Sequence, residues 1–71
     1  MLEFDGSKLK KLRKARKLKQ RELGLLVGKD AANIASYENG IGKPPADVLL
    51  SFISFFDVAP KDLSRSPSKI N

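Results

Sequence analysis

Nine of the chain's 14 basic residues, Lys8, Lys10, Lys11, Arg13, Lys14, Arg16, Lys17, Lys19 and Arg21, crowd into one stretch, and no acid stands between Gly6 and Arg21. Cations at helical spacings, such as Lys10 with Lys14 and Lys14 with Lys17, repel one another unless an anion is nearby. The chemistry this offers is polyanion binding, to DNA, RNA or an anionic membrane surface. Catalysis is poorly provided for. The 71 residues include no histidine and no cysteine, so the commonest general base, the thiol nucleophile, the zinc finger and the disulfide framework are all missing. The acids are scattered, and no serine has a histidine partner. The reading is of a protein that is not an enzyme, with no metal and no cofactor.

The other end of the chain has a different character. From Pro44 to Leu63 the single Lys61 faces Asp47, Asp57 and Asp62, among Val48, Leu49, Leu50, Phe52, Ile53, Phe55 and Phe56. With a net charge of +6 and 41% hydrophobic residues, the composition permits one small packed domain, built most economically from helices. The longest uncharged apolar run, Val48 to Phe56, falls well short of the roughly 20 residues of a membrane-spanning helix. Acidic residues stand where a secretory signal would be basic. The expected location is cytoplasmic, with no membrane partner.

Five elements must carry these residues. Asp5 or Ser7 can cap a first helix over about 7–17, with Leu9 and Leu12 on one face. Gln20 to Val27 reads as a short second helix closed by Gly28, although Lys19 is a poor cap. Asp30 caps a third, Ala31 to Glu38, which Asn39-Gly40 stops. Pro45 and Asp47 suit the first turn of a fourth helix that reaches about Phe56. On it, Leu49, Ile53 and Phe56 form one apolar stripe and Val48, Phe52 and Phe55 a second, more than a monomer needs. A last short helix follows Pro60. The predicted core is Leu9, Leu12, Leu18, Leu23, Val27, Ile34, Tyr37, Leu49, Phe52, Ile53, Phe56, Val58 and Leu63. No useful strand alternation is present, and the class is all-α with four or five helices.

The run Gln20 to Gly40 has the length of a helix-turn-helix. It carries Leu18-x-Gln20-x-x-Leu23-Gly24-x-x-Val27-Gly28 and then Ile34-x-x-Tyr37-Glu38-Asn39-Gly40. Leu12-Arg13 precedes it, and Lys43-Pro44, Leu49 and Val58-x-x-x-x-Leu63 follow. On these residues the chain resembles the Cro and lambda-repressor type helix-turn-helix family, also called the xenobiotic response element family. The resemblance implies a compact lambda-repressor-like domain over 7–63; residues 1–6 read as an arm, and 64–71, which lack periodicity, as a flexible tail. It also implies that Gln20 opens the scaffold helix and touches a phosphate, that Ala31 to Glu38 is the recognition helix in the major groove, and that Arg13 and Glu38 form a largely buried ion pair. Arg13, whose planar fork can hold a carboxylate and still reach a phosphate, counts among the phosphate contacts too. Gly24 stands where the family usually has Ala, at a close helix crossing.

Base reading departs from the family. Ala31, Ala32, Ala35 and Ser36 lie at outward positions where relatives commonly carry Gln, Arg or Lys, so Asn33, Ser36 and Asn39 are the polar candidates. Alanine can meet a thymine methyl and Asn can pair with adenine, which favours A·T-containing half-sites. Phosphate contacts from Lys29, Lys43, Arg21 and Asn39 should then carry much of the affinity. Leu25 and Leu26 replace residues that are usually polar and suggest a second contact surface. The expected protein is a repressor that binds an inverted-repeat operator as a homodimer through Val48, Phe52 and Phe55, with double-stranded DNA as partner and no small-molecule ligand. The alternative is a protein-interaction module of the antitoxin or anti-repressor kind.

Overall fold

A computed structural model describes residues 2–67. Asp5 opens the first helix: its carboxylate accepts from the Ser7 backbone N–H at 3.0 Å and from the Ser7 hydroxyl at 2.6 Å. α1 spans Gly6–Ala15. It stops short of the expected 17 because Lys17 adopts φ +56°, while the Arg16 and Leu18 N–H groups turn back to the Arg13 carbonyl at 3.1 and 3.2 Å. α2, Gln20–Val27, starts without a side-chain cap from Lys19. Glu22 compensates from inside the helix, its carboxylate accepting the Lys19 N–H at 2.7 Å. Gly28, at φ +73°, supplies the left-handed stop.

α3, Ala31–Glu38, is capped by Asp30, which accepts from the Asn33 N–H at 2.8 Å. α4 covers Ala46–Phe56 and enters from Pro45; a 3₁₀ turn, Pro60–Leu63, follows.

Two short strands, β1 (Glu3–Phe4) and β2 (Ser64–Arg65), pair antiparallel. The Asp5 N–H continues the ladder to the Leu63 carbonyl at 2.8 Å. Residues 3–4 and 64–65, read from sequence as parts of a free arm and tail, therefore belong to the packed unit. Strands of two residues have no alternation to detect. Residues 1 and 68–71, at the ends of the expected arm and tail, lie outside the described residues.

The core consists of Leu9, Leu23, Ile34, Tyr37, Val48, Phe52, Phe56 and Leu63. Tyr37 meets Phe52 edge to face, with ring centroids 6.3 Å apart. Leu12, Val27, Leu49, Ile53 and Val58, expected inside, are half-buried against this cluster, and Leu18 is half-buried too. The two stripes of α4 are rearranged relative to expectation: Val48, Phe52 and Phe56 face inward, and Leu49, Ile53 and Phe55 flank them. Both stripes are apolar, so composition could not choose between them. Packing takes members of both, with Phe52 set against Tyr37.

Two glycines mark close approaches. A Cβ on Gly24 would sit 2.4 Å from the Lys29 carbonyl oxygen, so α2 packs directly on the backbone of its own turn. Gly6, read as part of the arm, is buried, and a Cβ there would fall within 2.0 Å of the Tyr37 carbonyl oxygen and 2.7 Å of that of Glu38. α1 thus begins directly against the end of α3.

Candidate nucleic-acid interface

Three chain segments meet at Glu38. The Arg13 Nε donates to Glu38 Oε2 at 2.6 Å and Arg13 Nη2 to Oε1 at 3.0 Å, a two-pronged ion pair from α1 to the end of α3. The remaining Arg13 nitrogen donates to the Leu18 carbonyl at 2.7 Å, and Gln20 Nε2 donates to Glu38 Oε1 at 3.1 Å. The Glu38 side chain is 1% exposed, and these donors stand in for the water its carboxylate has lost. This cluster sets the entry of α2 against the exit of α3, the spacing on which a helix-turn-helix depends. Gln20 carries part of that load, holding Glu38 as well as opening α2.

Past the turn, Arg21, Lys29, Asp30, Ala31 and Asn33 line one open notch between α2 and α3, together with Leu25 and Gly28. Ala32 and Asn33 are exposed and Ala31 and Ala35 half-buried. The Ala31 and Ala32 N–H groups belong to the first turn, where helix donors have no intrahelical partner and the dipole is positive. Such an end, with Lys29 beside it, can receive a phosphate oxygen. Asp30, the cap of α3, is part of this surface as well. One carboxylate oxygen takes the Asn33 N–H, and the group brings a negative charge to the mouth of the notch.

Other candidates lie apart. Asn39 and Lys43 are exposed beyond the far end of α3. Ser36 is half-buried beneath the following loop: its carbonyl accepts from the Ile41 and Gly42 N–H groups at 3.0 and 3.3 Å, and a Cβ on Gly42 would lie 2.9 Å from its hydroxyl. The two unexpected leucines point to different surfaces. Leu25, 75% exposed, borders the notch, whereas Leu26 lines a shallow groove with Leu50, Ser51, Ser54 and Phe55.

The expected interface of Val48, Phe52 and Phe55 needs correction. Val48 is 3% and Phe52 0% exposed, both committed to the core. Phe55 is half-buried, with the Arg16 guanidinium 5.2 Å from its ring centroid and the Phe56 ring packed edge to face at 5.0 Å. Beside it, Leu50 of α4 and Leu26 of α2 are 64% and 53% exposed. No helix among the described residues is long and apolar enough to cross a membrane.

A short helical domain with its second and third helices braced in this way defines a lambda-repressor-like DNA-binding domain. The chain belongs to the helix-turn-helix family, of the xenobiotic response element type: the family model matches residues 9–63, and the protein is a DNA-binding transcriptional regulator. Among solved structures it is similar to the c2 repressor of P22 in complex with a synthetic operator, at 26% identity and TM-score 0.79, over 86% of this chain and 92% of that one. It is also similar to the restriction-modification controller protein C.AhdI from Aeromonas hydrophila, at 29% identity and TM-score 0.73, over 82% and 88%. A transcriptional regulator from Listeria innocua shares the fold, at 21% identity and TM-score 0.81, over 99% of this chain and 64% of that one. No curated protein matches the chain.

Proposed function

We propose that the protein is a repressor that binds an inverted-repeat operator in double-stranded DNA as a homodimer. The observation that carries this reading is the gathering of Arg21, Lys29 and Asn33 around the Asp30-capped N-terminus of α3, on a helix pair braced through Glu38. α3 enters the major groove, with Asn33 and the methyl groups of Ala31, Ala32 and Ala35 toward base edges, favouring A·T pairs. Ser36, under its loop, contributes less. Arg21, Lys29, Asn39 and Lys43 take phosphates, with Gln20 and Arg13 as the braced edge of the site. The P22 c2 repressor, whose structure holds a synthetic operator, supports the operator-binding part of this reading.

The second copy docks on the Leu26 and Leu50 face, with Phe55 at its edge. The residues that line its groove, Leu26, Leu50, Ser51, Ser54 and Phe55, carry no charge in a chain of net +6, which lowers the repulsion between two copies that meet there. Two recognition helices then reach successive major grooves about 34 Å apart.

Selection from a random duplex pool tests the reading and should return an inverted repeat. Sedimentation equilibrium should find two chains on that duplex, and Leu50→Asp should bind as a weak monomer, because its charge would be desolvated at the interface. A pool with no enriched sequence would overturn it. The same leucines also fit an antitoxin or anti-repressor module; a chain that stays monomeric on and off DNA and co-purifies with a different protein favours that alternative.

A further inference from the structure

The two flanks of α1 are occupied differently. On one, Lys8 Nζ donates to the Ser64 carbonyl, and Lys8, Lys11 and Leu12 border Val58 and Asp62 of the 3₁₀ region. On the other, Gly6 lies against the end of α3 and Arg13 reaches Glu38 and the Leu18 carbonyl. At 100° per residue, Lys10 falls about 40° from Gly6 and about 60° from Arg13, on the flank that leads toward Asn39, and Lys14, one turn on, stands about 40° further toward solvent. Lys17, held at φ +56°, extends the row toward the start of α2. All three lysines are exposed, and among the described residues the single ion pair is Arg13–Glu38. Lys14 answers the negative end of the helix dipole. Lys10 lies too far from that end to do so, and it repels Lys14 one turn away.

We propose that Lys10, Lys14 and Lys17 form a second phosphate-binding ridge, continuous with the Arg13–Gln20 edge, that grips the DNA backbone beside the groove occupied by α3. The occupant follows from charge and continuity: a duplex seated on α3 brings a rigid, regularly spaced row of anions past the same edge. This inference rests on the DNA-binding reading above. The ridge adds affinity without sequence information, which offsets the scarcity of bidentate base readers on α3.

The test compares two variants of equal net charge. Lys10→Gln/Lys14→Gln removes cations from the proposed ridge; Lys8→Gln/Lys61→Gln removes them from the opposite flank. Affinity for a selected duplex and a scrambled duplex is measured against salt concentration, with thermal melting to verify folding. The ridge variant should lower the magnitude of the log–log salt slope by about 1.8, near 0.9 per lost contact. It should do so equally on both duplexes, while the control changes the slope much less. Equal slopes in the two variants would overturn the ridge and leave only a diffuse positive field. An unchanged ridge slope alongside a lowered slope in Lys29→Ala would overturn the ridge but leave the α3 interface standing. Binding by the parent that does not respond to salt overturns both.

Discussion

Arg13 and Glu38 stand 25 residues apart, and between them they leave neither carboxylate oxygen of Glu38 without a guanidinium N–H. Removing one partner strands a buried charge, which costs about 3–5 kcal/mol. Arg13→Ala should nearly unfold so small a domain, whereas Lys14→Ala on the exposed face should melt close to the parent. Arg13→Met/Glu38→Leu should recover part of the loss, because no charge is then stranded. Equal melting temperatures for Arg13→Ala and Lys14→Ala would show that the pair is not structural.

Gly6→Ala should destabilise by about 1–3 kcal/mol, the usual cost of overpacking, because the added methyl would overlap the backbone carbonyls that end α3. Helix propensity alone predicts the opposite, a gain of about 0.5–1 kcal/mol over glycine. Chemical denaturation decides the sign.

Lys29→Ala and Lys43→Ala should weaken binding to all duplexes alike, each lowering the salt slope by about 1. Asn33→Ala should instead change the preference among sequences, at about 1–3 kcal/mol for the affected base pair. Fluorescence anisotropy titrations on matched and mismatched duplexes separate the two behaviours. Equal losses on both from Asn33→Ala would remove Asn33 as a base reader.

The Ser7 hydroxyl bonded to Asp5 holds that carboxyl below the ordinary aspartate range, helped by the Ser7 and Lys8 backbone N–H groups and the charge of Arg65 and opposed by burial. A depressed folded-state pKa contributes stability that is fully present above the unfolded value, about 3.9, and is lost as pH falls through the lower folded one. Asp5→Asn should therefore be less stable than the parent at neutral pH, with the gap narrowing as pH drops below about 4. Denaturant midpoints measured from pH 7 to pH 2 follow this, and a constant gap would rule out the Asp5 charge as its source.

The helix-turn-helix was legible because its signals are local. Asp30 caps α3 through the residue three positions on, and Gly28 stops α2 through a backbone angle; neither depends on a distant part of the chain. The Glu38 cluster was legible in its ion pair through resemblance, but not in the bond from Gln20. An outward glutamine at a helix start has the same sequence signature whether it faces a phosphate or a buried carboxylate.

What the sequence determined by itself, then, was the four helices, the cap of α3, the glycine stop of α2 and the family pattern over about 7–63, because capping, glycine stops and apolar spacing act within a few residues of one another. Tertiary structure decided which members of the two apolar stripes of α4 became core, burying Val48 and Phe52 from one with Phe56 from the other and leaving Leu49, Ile53 and Phe55 at their margin. It also decided that Gly6 abuts α3 and that Glu3–Phe4 pairs with Ser64–Arg65. The physical reason is one of range: a stripe has no facing, and a two-residue strand no partner, until packing brings distant segments of the chain together.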